Sequence, residues 1–438
     1  MERLLKTALS QAVKRGRLQV LTAGGATLDF GDGKGEPVSV RFADALAQWS
    51  FLRDPDLRLG ELYMDGRLIV EAGTIYDFLF LLLRDSRDTK PPWLIRLIDR
   101  FRHSVRHFKT RNIVWRSQRN VAHHYDLDAR LYRLFLDSDL QYSCAYFEHP
   151  EQSLDEAQLA KKRHIAAKLV VEPSHRVLDI GCGWGGLALY LSDVAGAGSV
   201  RGITLSQEQL AIAQERQKIV QRKASFDFAL EDYRDVAGTF DRIVSVGMFE
   251  HVGPAFYGAY FAACHRMLEP DGVMLLHTIG CSDVPGFVTP WLDKYIFPGG
   301  YIPSLSEIVP AAERAGFIVS DIEILQSHYA LTLRAWRSRF LARRGEAVLL
   351  YDERFCRMWE FYLAAAEVAF RCEDLVVFQL QLCKSPAVVP MTRGYIQERE
   401  NKLRMSEGSV YRSAEPRRPI SSALQDAVRG PPARRVEA

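Results

Sequence analysis

No two cysteines in this sequence are spaced as C-x-x-C. The seven, Cys144, Cys182, Cys264, Cys281, Cys356, Cys372 and Cys383, are scattered and odd in number. That pattern speaks against a disulfide framework and against a zinc site, so no metal and a reducing cytoplasm are expected. Long hydrophobic runs are missing too. The greasiest stretch, "YDFLFLLL" from Tyr76 to Leu83, contains Asp77 and falls far short of the roughly 20 apolar residues of a membrane-spanning helix. The opening "MERLLKTALSQAVKRGRLQV" lacks the unbroken apolar core of a signal peptide, and a soluble or peripheral protein is expected. Nor is there an excess of charge: 57 Lys+Arg against 54 Asp+Glu leave +3, too little for nucleic-acid binding by the whole chain.

What is present is a chain of 438 residues, 47% of them hydrophobic, enough for a substantial core in one large domain or two. One charge cluster stands out. Residues 84–119 hold eleven Lys/Arg against Asp85, Asp88 and Asp99, interleaved with apolar residues including Trp93, Leu94, Phe101 and Trp115. Basic side chains near an anionic bilayer contribute about 1 kcal/mol each, and Trp and Leu enter the headgroup region. The segment is a candidate for transient contact with an anionic membrane surface; a solvated helix packed on the protein by its apolar face is the alternative.

From Val171 onward, short β-branched runs alternate with helical patterns, the signature of a parallel sheet wrapped by helices. Seven strands are expected, at "RVLDIG", "VRGITL", "FDFALE", "DRIVSVG", "GVMLLHTIG", "FIVSDIEIL" and "LVVFQLQLC". Helices are expected at "SQEQLAIAQERQKIV", capped by Ser206, and at "PAFYGAYFAACHRMLEP", closed by Pro270 and Gly272. After the sixth strand, "LTLRAWRSRFLARR" and "ERFCRMWEFYLAAAEVAF" predict two amphipathic helices that build a substrate cover. The first 110 residues have a different texture, with turn signals in "GDGKGEP" and a helical pattern after "AGTIYDFLF", and predict a separate small domain. Residues 393–438 are polar and rich in Pro and Arg, and are expected to be disordered.

The stretch "RVLDIGCGWGG" carries G-x-G-x-x-G at Gly181, Gly183 and Gly186, a weak signal by itself. A dinucleotide wants its pyrophosphate at this turn and an acid at the end of the second strand. Here that strand ends in Thr204, while Asp179 sits beside the turn where it would repel a pyrophosphate. Both departures suit a ligand that is cationic near the turn and lacks phosphate, and S-adenosylmethionine is such a ligand. Thr204 and Gln207 are then expected to bond the ribose hydroxyls, with Leu205 at the same site. Asp232 is expected to accept from the adenine amine and Tyr233 to form an apolar wall. The blander alternative for Asp179 is a helix-capping carboxylate.

Ligand crevices in such sheets lie beyond the carboxyl ends of the strands. The fourth strand brings Glu250 and His251 to that edge and the fifth brings His277 and the backbone of Ile279. Singly these read as a helix cap and a core histidine; together they read as a polar site, since burying several such groups is costly unless they satisfy one another or a ligand.

These residues, with "HHYDLDARLYRLFLDSDLQYSCAYFEHPEQSLDEAQLAKKRHIAAKL", "DKYIFPGGYIPS" and "HYALTLRAW", make the chain resemble the cyclopropane-fatty-acid synthase family, including the mycolic acid cyclopropane synthases, from about His123 to Lys384. The resemblance implies an α/β fold: a seven-stranded Rossmann-like sheet of the class I methyltransferase type with helical lid insertions, plus a smaller N-terminal domain. It divides the chain into 1–110 for lipid interaction and dimerisation, 111–392 for catalysis, and the tail. It also implies a membrane phospholipid with an unsaturated acyl chain as substrate, a homodimer, and peripheral association with the cytoplasmic face of the membrane.

The implied reaction adds a methylene unit from S-adenosylmethionine to a cis double bond, with bicarbonate as the base. The bicarbonate site maps onto Cys144, Glu250, His277, Ile279 and Tyr329, and the cofactor contacts include Tyr142 and Ser143. Cys144 has no base partner to make it a nucleophile. The chemistry needs a water-poor pocket that tolerates a transient cation, which aromatic faces provide. Tyr142, Tyr146, Phe147, Phe249, Tyr295, Phe297 and Tyr301 are candidates, two or three of them touching substrate. A relative leaving a methyl or methylene branch, and an idle lipid-binding protein that keeps the fold, are the rival readings.

Overall fold

The computed structural model describes residues 1–85, 128–219 and 225–413. Nearly all of the basic segment lies outside these residues, as does the expected domain boundary at 110.

The N-terminal region opens with α1 (Glu2–Ala12), which buries Leu5 and Leu9 against a four-stranded sheet. Strands β1 (Arg17–Leu21), β2 (Thr27–Phe30) and β3 (Pro37–Phe42) come next, with "GDGKGEP" turning between the last two. Every second residue of β3 (Val38, Val40, Phe42) points inward, as a half-buried strand requires. Helices α2 (Ala45–Arg53) and α3 (Pro55–Met64), strand β4 (Leu68–Ala72) and helix α4 (Ile75–Leu83) complete the unit. The Asp77 that interrupts the greasiest run belongs to a capping box: it accepts from the Thr74 amide at 2.9 Å while Thr74 Oγ accepts from the Asp77 amide.

After α5 (Ala129–Phe135) and α6 (Leu154–Lys168) the chain enters the large sheet. Its first part comprises β5 (Arg176–Ile180), α7 (Gly186–Asp193), β6 (Ser199–Thr204), α8 (Gln207–Ile219), β7 (Ser225–Leu230), β8 (Phe240–Val246), α9 (Tyr257–Met267) and β9 (Leu268–Cys281). A small hairpin, β10 (Gly286–Phe287) and β11 (Tyr301–Ile302), encloses α10 (Pro290–Tyr295). Then follow α11 (Leu305–Arg314), β12 (Ile318–Leu325), α12 (His328–Ala342), α13 (Arg344–Leu350), α14 (Glu353–Cys372), β13 (Leu375–Cys383) and α15 (Gly394–Ser413).

The strand order is β12-β13-β9-β8-β5-β6-β7, the seven-stranded Rossmann-like arrangement. All seven expected strands are present, but β13 runs antiparallel to both of its neighbours. Two expectations need correction. Helix α9 stops at Met267, and β9 runs through Pro270 and Gly272; a register shift between Phe240 and Arg242 of β8 accommodates the proline there. The tail from Arg393 is not disordered over 394–413. It forms α15, docked by buried charges beside the apolar Ile396 and Leu403: Arg163 donates to Glu407 at 2.9 and 3.0 Å, and His164 bonds Glu400 at 2.7 Å. Residues 414–438 lie outside the described part.

The insertion α12–α14 packs against the N-terminal unit as well as the sheet. Tyr63 donates to Glu360 at 2.7 Å, and the Arg337 guanidinium lies 4.3 Å from the centroid of the Tyr76 ring. One continuous core therefore holds Leu9, Phe78, Trp336 and Trp359 together.

Candidate active site

Two cavities meet at the carboxyl edge of the large sheet. The first, about 150 Å³, lies over the glycine turn. Gly181 has φ +80 there, a backbone that favours glycine. Gly186 is needed for close approach, because a Cβ would strike Gln141 Nε2 at 2.3 Å and Asp139 Oδ2 at 2.4 Å. Asp179, Gly181, Gly183, Thr204, Leu205, Asp232, Tyr233, Tyr142 and Ser143 all line this cavity.

Asp179 is buried, and its Oδ2 has no hydrogen-bond partner. Burial pushes its carboxyl up to about 7, against the opposing pull of the Lys161 ammonium. It caps no helix: α7 starts from Gly185 with no side-chain cap, which removes that alternative. An unpartnered buried acid facing a cavity fits a cationic ligand.

One of the other expected contacts differs. Gln207 is exposed and does not line the cavity; Gln209, two residues further along α8, does. Two helical steps rotate a side chain by roughly 200°, so fixing the N-terminus at Ser206, whose Oγ accepts from the Gln209 amide at 3.3 Å, turns Gln207 outward. Gln209 Oε1 accepts from the Thr204 hydroxyl at 2.9 Å. Asp232 lines the cavity as half of an ion pair, its oxygens accepting from Arg234 at 2.8 and 2.6 Å.

The second cavity, about 1150 Å³, exceeds the roughly 300–1,000 Å³ of most small-molecule sites. Cys144, Glu250, His277, Ile279 and Tyr329 all line it. Register brings them together, since His277 of β9 stands opposite Val246 of β8 on one side and Gln379 of β13 on the other. Glu250 Oε1 accepts from the Ile279 amide at 2.6 Å, and Oε2 is buried with no partner. The Ile279 backbone thus orients Glu250. Burial pushes the Glu250 carboxyl up to about 6. Burial and the cations of Lys161 and Lys168 hold His277 well below an ordinary imidazole. Its Nδ1 accepts from Gln379 Nε2 at 3.1 Å, which leaves Nε2, buried and unpartnered, as the N–H.

Cys144 is no nucleophile: burial pushes its thiol up, and it donates to the Ala145 carbonyl at 3.3 Å. Of the seven candidate aromatics, Tyr142, Phe297 and Tyr301 line this cavity. Tyr146 instead stacks on His164 at 4.2 Å, and Tyr295 donates to Glu61. Phe361, Tyr362, Ala365, Ala366, Ala369 and Phe370 also line it; they form two adjacent i, i+4 rows of α14, a spacing visible in the sequence. Tyr142, Ser143, Gly247 and His251 line both cavities.

With this geometry, sequence and structure can be compared with known proteins. The family model described as mycolic acid cyclopropane synthetase matches residues 114–380. The chain belongs to that family. Cyclopropane-fatty-acyl-phospholipid synthase of Escherichia coli (strain K12) is 41% identical over 333 residues, 75% of this chain and 83% of that protein. Tuberculostearic acid methyltransferase of Mycobacterium tuberculosis is 34% identical over 390 residues, 84% of this chain and 88% of that one. Among solved structures, mycolic acid cyclopropane synthase CmaA1 complexed with SAH and CTAB is 35% identical, with a TM-score of 0.57 over 60% of this chain and 97% of its own.

Membership in the cyclopropane synthase family makes the protein an S-adenosylmethionine-dependent methyltransferase. No helix among the described residues is long and apolar enough to cross a membrane.

Proposed function

We propose that this protein transfers a methylene unit from S-adenosylmethionine to a cis double bond of a phospholipid acyl chain, closing a cyclopropane ring. One observation carries the reading: a cavity with an unpartnered acid, Asp179, abuts a large aromatic and aliphatic cavity through Tyr142, Ser143, Gly247 and His251. Asp179 faces the cationic end of the donor and the shared residues frame the crossing. The alkene attacks the sulfonium methyl, the sulfur–carbon bond breaks, and positive charge appears on the acyl chain beside Tyr142, Phe297, Tyr301 and Tyr362. Ring closure then expels a proton from the transferred carbon.

Glu250 Oε2 and His277 Nε2, buried without partners, suit a small ion that both donates and accepts hydrogen bonds, and bicarbonate fits that description. Bound there it would supply a weak base. His277 donates from Nε2, Glu250 accepts at Oε2, Tyr329 and Cys144 wall the site, and the Ile279 amide holds Glu250 in place. The aliphatic lining keeps water from the charged chain.

The substrate's home also supports peripheral contact with an anionic membrane on the cytoplasmic side through the basic segment, and a dimer through the N-terminal unit. Changing Arg96, Arg100, Arg102 and Arg106 to Glu should release the protein from anionic vesicles in co-sedimentation; unchanged binding would remove that part.

The reaction is tested by incubating the protein with S-adenosylmethionine and vesicles of an unsaturated phospholipid. Mass spectrometry should show a gain of one CH2 with loss of the alkene. The similarity to a protein named as a tuberculostearic acid methyltransferase keeps a branched product as the second reading, and chemical distinction of ring from branch decides between them. No change in the lipid would overturn both and leave a lipid-binding role.

A further inference from the structure

Gln379 and Gln381 interrupt the apolar run of β13, and both side chains are buried. A buried amide is costly unless it is hydrogen-bonded, so each needs a partner on the face it points to. Register supplies one for Gln379. It stands directly opposite His277 of β9 on one side and Glu323 of β12 on the other, and residues directly opposite share a face of the sheet. Lys168, the last residue of α6, reaches the same row. Its buried ammonium pairs with Glu323 at 2.5 Å and with Asp321 at 3.2 Å. It also donates to Gln379 Oε1 at 3.3 Å, while Gln381 Nε2 donates to the Lys168 backbone carbonyl.

These contacts allow the Gln379 amide one orientation. An ammonium has donors and no acceptor, so the atom facing Lys168 is the oxygen, and the nitrogen faces His277 Nδ1 at 3.1 Å. A flipped amide would set N–H against N–H at Lys168. With Nδ1 accepting, the proton of the neutral ring sits on Nε2, the buried and unpartnered atom of a residue that lines the large cavity. Burial, and after it Lys161, Lys168 and His164 of α6 and His328 of α12, keep a second proton off the ring. The two tautomers make different sites. With the proton on Nε2, the ring offers a donor in the cavity that also holds the free acceptor Glu250 Oε2. With the proton on Nδ1, ring and carboxylate would both face a ligand as acceptors and would repel an oxyanion.

Resting on the reading of the large cavity above, we propose that Gln379 is a positioning residue for the reaction: held by Lys168, it fixes the tautomer of His277 and so makes the pocket a site for an oxyanion that keeps one proton. Such an ion accepts from His277 and donates to Glu250. A fully ionised oxyanion has nothing to donate.

The test joins a nitrogen NMR spectrum of the intact protein, labelled at its histidine nitrogens and held near pH 7, with steady-state kinetics on vesicles of an unsaturated phospholipid. The His277 signal is the one lost in His277→Asn. In the unaltered protein the ring should be neutral with its proton on Nε2. Gln379→Glu places an acceptor at Nδ1 and should move a proton there; Gln379→Met removes the partner and should show both tautomers. Both should lower kcat about tenfold to a hundredfold, as losing the partner that orients a functional histidine does, with affinity for S-adenosylmethionine unchanged. A merely structural role would lower kcat and donor affinity together and leave the proton on Nε2.

A proton on Nδ1 in the unaltered protein, or one that stays on Nε2 in Gln379→Glu, would overturn the proposal. If Gln379→Glu does not fold, the spectra of the unaltered protein and of Gln379→Met still decide. No lipid turnover by the unaltered protein would instead overturn the reaction on which the proposal rests.

Discussion

Two acids at the cavities, Asp179 and Glu250, have carboxyl oxygens buried without partners, at a cost to the empty protein. Asp179 holds its proton more tightly folded, at about 7, than at the ordinary 3.8. Its contribution to stability is therefore complete below about pH 3.8 and is lost as pH rises through about 7. Asp179→Asn should raise stability at pH 8 by about 2 kcal/mol in urea unfolding, and should abolish the stabilisation that S-adenosylmethionine gives the unaltered protein. In the proposed reaction the Glu250 carboxylate is the working form, so activity should fall as pH drops through about 6, read from the profile of kcat/KM. Glu250→Gln should lose about 100-fold or more in kcat, whereas Cys144→Ser should keep measurable turnover, its thiol being bonded to the Ala145 carbonyl. Glu250, His277 and Asp179 were legible in the sequence because strand ends in this fold point at the crevice. Lys168 and Gln379 were not. Lys168 sits in "AKKRHIAAK", a run that reads as a solvated helix face, and Gln379 shows its use only when β13 pairs with β9.

Among elements, α15 shows how far charge patterning misleads. Its sequence looks like a solvated tail, yet Glu407 is buried against Arg163 and also accepts from the Tyr190 hydroxyl at 2.6 Å. Glu400 and Glu323 flank His164. Burial disfavours charge on that imidazole, but the two hydrogen bonds outweigh it and raise its pKa. Glu407→Ala leaves the Arg163 guanidinium with Glu148, at 3.3 Å, as its remaining acid and should cost about 2 kcal/mol, measured by denaturant unfolding; an effect under about 0.5 kcal/mol would mean, on the same scale, that water reaches Arg163. The strands of the large sheet were readable because β-branched runs bounded by turns have few other uses. The partners of α15 were not, since ion pairs across 244 positions (Arg163 to Glu407) leave no local periodicity.

For the whole molecule, the N-terminal unit is part of the larger cavity, not an appendage. Leu9, Ala12, Leu59, Leu79 and Leu83 line the same space as Glu250 and His277, and Gly60 of α3 is pressed so close to Trp291 that a Cβ would meet its ring at 2.4 Å. Ala12→Trp should lower kcat/KM on lipid vesicles several-fold while leaving affinity for S-adenosylmethionine unchanged. A matching loss in donor affinity would show that the damage was general. A change of texture near residue 110 suggested two units, but the joint cavity could not be read from the sequence, because it depends on how α14 wedges between them. The partition formed by Tyr142, Ser143, Gly247 and His251 has a corollary for occupancy. Under the proposed reading each chamber holds its own ligand, and the two linings share just those four residues.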